Sequence, residues 1–164
     1  MSKREKSQEA GGSTAMRRTS ARLAAVQAVY QMRAGGQDAR QVVGEYRLFR
    51  LGKPVDGAAL AAPDDTLFAS IVSGLESRKD DVMSLVSGAL EGRHKGDAAA
   101  LEPLLLGIMM CGAYELLAHH DVDVPIIIAD YLDITHSFYD GGESKIVNAV
   151  LDRIAKNVRE EPKA

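Results

Sequence analysis

The chain has 164 residues, of which 46% are hydrophobic and 26% are charged, with one cysteine and no tryptophan. These values fit one soluble domain with a sizeable core and exclude collagen-like, disulfide-stapled and wholly disordered classes. The formal net charge of −3 by itself argues against a nucleic-acid partner, because phosphate recognition needs clustered Lys and Arg. However, residues 1–22 carry six basic and two acidic side chains, and the other 142 residues have a net charge of −7. The charge asymmetry therefore predicts a basic arm attached to an acidic body.

The N-terminus is polar, and the chain has no apolar stretch of the length that crosses a bilayer. Neither a secretory signal nor a membrane span is predicted, so we expect a cytoplasmic protein. The single cysteine, Cys111, lies in the apolar run 104–117. We interpret it as a buried, inert thiol that packs as a small hydrophobe.

The first part of the chain predicts a basic arm that leads into a helical domain. Residues 1–16 combine charge, Gly and Ser with little apolar content, and we expect them to be disordered. A single helical domain is expected over residues 17–160. Its first helix is predicted to be capped by Thr19 or Ser20 and to stop at the Gly pair at 35–36, with an apolar row formed by Leu23, Val26 and Tyr30.

The middle of the chain predicts further helices. A short helix is expected over 40–49, followed by a loop over 52–63. Asp64 and Asp65 favour a helix start, and the apolar pattern continues past the polar patch 78–81 as one long helix or two short ones. Residues 101–118 are apolar around almost the whole circumference, which predicts a central helix.

The last two helices are predicted from their start signals and their apolar rows. Asp123 and Pro125 indicate the start of one helix, whose expected buried stripe is Ile128, Tyr131, Thr135 and Phe138. Ser144 is expected to cap the last helix, whose main apolar row is Ile146, Val150, Ile154 and Val158. No run alternates with period two, so the fold class is predicted to be all-α, with about six or seven helices in a compact bundle.

Motifs that would indicate catalysis or a cofactor are not found in the sequence. Dinucleotide, P-loop, hydrolase-elbow and zinc-ribbon patterns do not occur, and no catalytic residue, metal or cofactor is predicted. His119 and His120 are the nearest approach to a metal site, but adjacent helical residues point about 100° apart. We interpret them as a solvated helix end, and Asp130 and Asp133 as surface charges.

The basic segment at the start of the first helix carries more information. Arg17, Arg18 and Arg22 place three guanidinium groups at the helix end where cations oppose the helix dipole. An anionic partner is one reason for such an arrangement, because Arg binds phosphates through bidentate hydrogen bonds and stacks on bases. A solubilising arm without a ligand is the alternative that composition leaves open.

Five segments, taken in order, resemble the motifs of the NusB family of transcription antitermination factors. They are ARLAAVQAVY at 21–30, the F-x-x-I-V-x-G-L pattern at 68–75, GAYELL at 112–117, IADYLD at 128–133 and GESKIVNAVLDR at 142–153. The resemblance implies an all-helical fold of two packed subdomains without catalytic activity. It further implies binding, together with NusE, a small-subunit ribosomal protein, to the single-stranded boxA element of ribosomal RNA leaders. RNA polymerase would be an indirect partner. The resemblance leaves open whether the protein is a monomer or a homodimer.

The resemblance also suggests roles for particular residues. Arg17, Arg18 and Arg22 would follow phosphates, and Lys145 and Asn148 would reach the RNA backbone or base edges. Tyr30 is placed in the core in preference to stacking on a base. Leu105 and Met109 are the candidates for contact with NusE.

Three departures from the family pattern motivate alternatives. Met110 replaces a frequent Arg, Leu105 lies where some members carry an acid, and Ala129 replaces an Asn. A divergent scaffold that has lost specific RNA binding is therefore the alternative function. A helical module of a ribosomal RNA methyltransferase is a further alternative, but no α/β cofactor-binding pattern follows the last helix.

Overall fold

The computed structural model describes residues 13–49, 62–92 and 98–159. Within these ranges the chain forms seven α-helices and a short 3-10 helix at Ala98–Ala100, and it forms no strand, so the all-α prediction is confirmed. The α-helices are α1 (Thr14–Gly35), α2 (Ala39–Phe49), α3 (Asp65–Ser77), α4 (Lys79–Leu90), α5 (Pro103–Ala118), α6 (Val124–Phe138) and α7 (Glu143–Val158).

The helices belong to two compact units, which divide between Ser73 and Gly74. The first unit contains α1, α2 and most of α3, and the second contains the end of α3 and helices α4 to α7. Two helical subdomains are thus confirmed. The assignment of residues 17–160 to one domain stays a prediction.

Helix α1 begins earlier than the sequence indicated. Ser13 is its N-cap, and the Ser13 side chain accepts a hydrogen bond of 3.1 Å from the backbone N–H of Met16. The predicted caps at Thr19 and Ser20 are wrong, since the Thr19 hydroxyl instead donates to the carbonyl of Ala15 inside the helix. Residues 14–16 belong to the helix and not to the arm, while residues 1–12 lie outside the described ranges.

Small side chains form most of the buried face of α1. Tyr30, which the apolar row assigned to the core, is 42% exposed, so that assignment is wrong. The helix ends at Gly36, whose φ of +71° is a left-handed conformation that glycine adopts without steric cost. Its buried residues are Ala21, Arg22, Ala24, Ala25, Val26, Ala28, Val29 and Met32.

Two contacts join α2 to α3 within the first unit. The rings of Tyr46 and Phe68 stack with centroids 5.2 Å apart, and Arg47 Nε lies 2.8 Å from Asp65 Oδ1. Asp64 caps α3 by accepting from the backbone N–H of Leu67 at 3.0 Å, as its position in the sequence indicated. The predicted loop over 52–63 falls mostly outside the described residues.

The polar patch at 78–81 separates two helices, α3 and α4, so the alternative of two short helices is correct. In the second unit α5 and α7 each pack against the other three α-helices, and α5 is the central one because its middle is buried on all sides. Every residue from Leu105 to Leu116 is buried, as the apolar circumference predicted. Cys111 is fully buried within this run, and burial raises the pKa of its thiol, which confirms the expected buried cysteine.

Helix α6 begins after Asp123, as predicted, but its buried stripe differs from the prediction. Ile128 is half-buried and Phe138 is 39% exposed. The stripe therefore lies on a slightly different side of the helix. Its members are Ile127, Tyr131, Ile134 and Thr135.

Helix α7 begins at Glu143 with Gly142 as its N-cap, so the predicted cap at Ser144 is wrong. Ile146 and Val158, at the two ends of the predicted row, are only half-buried. The buried face combines the middle of that row with the neighbouring row. Its residues are Val147, Val150, Leu151, Ile154 and Ala155.

The residue after α7 holds the C-terminal end of α5. The guanidinium of Arg159 donates hydrogen bonds to backbone carbonyls in the last turn of α5 and in the turn after it, a region where many helical carbonyls lack an intrahelical partner. The acceptors are the carbonyls of Glu115 at 3.2 Å, Leu116 at 2.8 Å, His119 at 2.6 Å and Val122 at 2.8 Å. Among the described residues, no helix is both long enough and apolar enough to cross a membrane.

Candidate nucleic-acid interface

The two units differ in charge. The described residues of the first unit carry six basic and four acidic side chains, a formal net charge of +2. Those of the second unit carry six basic and thirteen acidic side chains, a net charge of −7. A polyanion is therefore attracted to the first unit and repelled by most of the second.

Arg17 and Arg18 lie near the N-terminal end of α1, whose first turn contains no acidic residue. Arg17 is exposed, and its Nε atom donates to the carbonyl of Ala62 at 3.2 Å, which fixes the direction of the side chain. The backbone N–H of Asp64 in turn donates to the carbonyl of Arg17 at 3.0 Å. The N-terminal end of a helix carries a partial positive charge, so two arginines near it are electrostatically unfavourable. An anion bound beside them would offset this repulsion.

Arg22 does not share this exposure. Its side chain is buried, with 1% of the residue exposed to solvent. The sequence placed all three arginines beside phosphates, but a buried guanidinium does not reach a ligand on the surface. The structure therefore separates Arg22 from Arg17 and Arg18, and we remove it from the candidate contacts.

The outer face of α1, which we define as Met16, Leu23, Gln27 and Tyr30, runs along the exposed side of the helix. Met16 and Tyr30 are 54% and 42% exposed, and Leu23 is half-buried. Met16, Leu23 and Tyr30 follow each other at intervals of seven residues, so they lie close to one line on the helix. The sequence pattern favoured a core position for Tyr30 over stacking on a base, and the exposure of the ring shows that this preference was wrong.

Lys145 and Asn148 are both exposed on the first turns of α7, in the second unit. They are three residues apart, so they share a helix face. Ile146 between them is half-buried. The structure thus leaves Lys145 and Asn148 available to a ligand on α7, as a pair distinct from the arginines on α1.

The predicted partner contacts on α5 are buried. Leu105 is 7% exposed, Met109 is fully buried, and Met110 is 2% exposed. These side chains pack among the neighbours of the central helix. Leu105 and Met109 are therefore unsuitable as contacts with a protein partner in this structure, whereas Ala129 on α6 is exposed.

The two adjacent histidines have different environments. The ring of His119 is 14% exposed, and its Nδ1 lies 3.0 Å from Oε1 of the fully buried Glu115. His120 is exposed. The interpretation as a solvated helix end is therefore correct for His120 and wrong for His119. Within the described ranges, no three His, Cys, Asp or Glu side chains are grouped in a way that could hold a metal ion.

The fold and the charge distribution define a small all-α protein in which a basic first helix precedes an acidic helical unit. Comparison with known proteins gives the family. The family model described as "NusB family" matches residues 19–156. The chain belongs to the NusB family.

Curated relatives from three bacteria carry the name "Transcription antitermination protein NusB". The protein of Rhizobium rhizogenes is 43% identical over 150 residues, which cover 92% of each chain. That of Agrobacterium fabrum is 43% identical over 149 residues, covering 91% of this chain and 89% of the relative. That of Mesorhizobium japonicum is 40% identical over 147 residues, covering 90% of this chain and 94% of the relative.

A solved structure of NusB from T. maritima has the same fold. The two chains align with a TM-score of 0.69 and 24% sequence identity. The alignment covers 85% of this chain and 90% of the other. At this identity the likeness supports the fold, and the family assignment rests on the sequence matches.

Proposed function

We propose that this protein is a non-enzymatic transcription antitermination factor that binds boxA RNA of ribosomal RNA leaders together with NusE, in the cytoplasm. RNA polymerase would be reached indirectly through this complex. The observation that carries the proposal is the pair of the exposed Arg17 and the half-buried Arg18 near the positive end of α1, on the only unit whose described residues have a net positive charge. Family membership supports the same function.

The α1 surface offers both kinds of contact that a single strand needs. Arg17 and Arg18 supply charge for phosphates, which gives salt-dependent affinity. Tyr30 supplies an exposed ring on which an unpaired base can stack. We therefore assign phosphate contact to the two arginines and base stacking to Tyr30.

Lys145 and Asn148 are proposed as a second set of RNA contacts. Lysine binds phosphate as a point charge, and the Asn amide donates and accepts hydrogen bonds at base edges. The acidic character of their unit limits unspecific attraction of RNA. Contact there is expected to select among sequences more than to add affinity.

A double variant tests the phosphate contacts. Arg17→Ala with Arg18→Ala should weaken boxA binding by roughly threefold to tenfold and lower the slope of log affinity against log salt by about 1 to 1.5. Arg78→Ala is the matched control, because Arg78 is exposed on the acidic unit and pairs with Asp81 at 3.3 Å. A double variant with unchanged affinity and unchanged salt slope would refute the proposed role of α1. That result would favour a NusB-fold scaffold without specific RNA binding.

A further inference from the structure

Helix α6 has a second apolar side that its neighbours leave uncovered. Its buried stripe packs within the second unit against α5 and α7. We define the α6 outer face as Pro125, Ile126, Ala129 and Leu132. Pro125 and Ala129 are exposed, Ile126 is 52% exposed, and Leu132 is half-buried. A helix that is apolar on two sides usually has both sides covered, and the part of the chain that the structure describes leaves the outer face uncovered.

The spacing of these residues makes them one continuous strip. Pro125, Ala129 and Leu132 occupy positions i, i+4 and i+7 on one side of the helix, and Ile126 lies beside Pro125. This pattern is the one by which a helix presents apolar side chains to a partner element. The strip is therefore suited to docking.

Acidic residues are frequent in the segment that contains the strip. Residues 119–144 contain six acidic side chains and no Lys or Arg. Asp130 and Asp133 are one turn after Ile126 and Ala129, respectively, so they border the strip directly. Arg159 is near the start of this segment, but its guanidinium is occupied by the carbonyls at the end of α5.

We propose that the α6 outer face is a docking surface for a protein whose contacting surface is basic and presents aliphatic side chains. The aliphatic groups would cover Ile126 and Ala129, and the basic groups would face mainly the exposed Asp133, with the half-buried Asp130 one turn away. Charge complementarity of this kind directs association and excludes unsuitable partners.

The same charges exclude two other occupants. An RNA strand would bring phosphates towards Asp130 and Asp133, in a segment without Lys or Arg to pair with them. A second copy of this chain, docked face to face about a twofold axis, would bring Asp130 and Asp133 towards the same residues of its partner. A basic protein is the occupant that the charges fit.

The inference deepens the proposed function, because NusE, the protein partner proposed above, serves as the probe. The test measures NusE binding to the full chain by titration calorimetry, at about 0.05 and 0.3 M salt, which bracket weak and strong screening. Ile126→Ser should weaken NusE binding about tenfold, since it removes an aliphatic contact that binding would bury. Leu48→Ser is its matched control, because Leu48 is 71% exposed on α2 of the other unit.

A charge reversal tests the acidic border. Asp133→Lys should weaken NusE binding by about threefold or more at low salt and reduce the salt dependence. Glu76→Lys makes the same change at an exposed position in the last turn of α3 and should leave binding within about twofold. Melting curves followed by circular dichroism should be the same for all four variants, because the substituted side chains are exposed.

Different results contradict different claims. If the unchanged protein binds NusE and both Ile126→Ser and Asp133→Lys bind it equally well, the docking surface is refuted and the NusE partnership stands. If the unchanged protein does not bind NusE, the proposed partnership and this inference both fail. If Ile126→Ser loses boxA RNA and keeps NusE, the face binds nucleic acid and the inference is wrong.

Discussion

The hydroxyl of Tyr131 on α6 donates a hydrogen bond of 2.6 Å to Oε2 of Glu115, a carboxylate on α5 that is completely buried. The other carboxylate oxygen lies 3.0 Å from Nδ1 of His119. Burying a carboxylate is costly unless its oxygens are paired. Glu115, in the GAYELL segment, is therefore a structural residue that joins α5 to α6.

Tyr131→Phe should lower the free energy of unfolding by about 1 to 3 kcal/mol, because it leaves a buried carboxylate oxygen without this donor. Urea denaturation followed by circular dichroism measures the change. Tyr30→Phe removes the same hydroxyl from an exposed ring and should stay within about 0.5 kcal/mol. Equal stability of Tyr131→Phe and the unchanged protein would show that the hydrogen bond does not support Glu115.

Gly112 lies where α5 crosses α7 at close range. A Cβ atom at this position would be 2.9 Å from Cδ2 of Leu151, which is fully buried. Gly112→Ala should therefore destabilise the protein by about 1 to 3 kcal/mol through overpacking. Gly88→Ala, in the interior of α4 where no atom beyond the helix's own backbone and the adjacent residues lies within 4 Å of the new Cβ, should instead stabilise it by up to about 1 kcal/mol. Thermal melts compare the two, and changes of the same sign would contradict the close contact.

Arg159 donates hydrogen bonds to carbonyls at the C-terminal end of α5, so its removal should lower the stability of the second unit. Arg159→Ala should lower the free energy of unfolding by about 2 kcal/mol, because half-buried carbonyls lose a charged donor. Arg153→Ala provides the comparison, since Arg153 is exposed and makes one long hydrogen bond of 3.4 Å to the carbonyl of Glu91. Denaturant titration should show little effect of the second change. If Arg159→Ala and Arg153→Ala had the same free energy of unfolding, water would replace the hydrogen bonds from Arg159 without loss of stability.

Glu102 makes stability depend on pH. Its partial burial raises the pKa, but hydrogen bonds from the Tyr139 hydroxyl and the backbone amides of Leu104 and Leu105 outweigh this effect and lower the pKa of Glu102 below its ordinary value of 4.5. A lowered pKa contributes stability that is present above the ordinary pKa and is lost as the pH falls through the folded-state pKa.

Glu102→Gln should therefore reduce the loss of melting temperature between about pH 5 and pH 3. The same substitution at the exposed Glu91 is the control for the effect of replacing a carboxylate by an amide. Melting temperatures across this range decide the matter. A Glu102→Gln profile parallel to that of the unchanged protein would show that the folded state does not favour the charged carboxylate.

The buried core of the second unit was predictable because its signals are strong. Residues 101–118 are apolar on all sides, which only a central helix allows, and Asp123 with Pro125 marks the next start. The cap of α7 was not predictable in the same way. Gly142 and Ser144 are both residues that can precede a helix. In the structure Glu143 is already the first helical residue, so Gly142 is the N-cap.

The candidate site was predicted less well than the core. The apolar row of α1 gave most weight to large residues, which placed Tyr30 inside and Arg22 outside. In the structure small alanines make much of the buried face, so Tyr30 is exposed and Arg22 is buried. Alanine gives a weak apolar signal, and the pattern therefore favoured the wrong side of the helix. Arg159 lies far from α5 in sequence, so no local pattern indicates its contacts.

Binding of boxA RNA by this protein and NusE together, at about 0.15 M salt, tests the central claim most directly. One RNA ligand has the boxA sequence. The control RNA has the same length and composition, with the order of the bases scrambled. We predict at least about tenfold tighter binding of boxA RNA, since base contacts must add to the phosphate contacts. Equal affinity for the two RNAs would contradict specific recognition by this member of the NusB family.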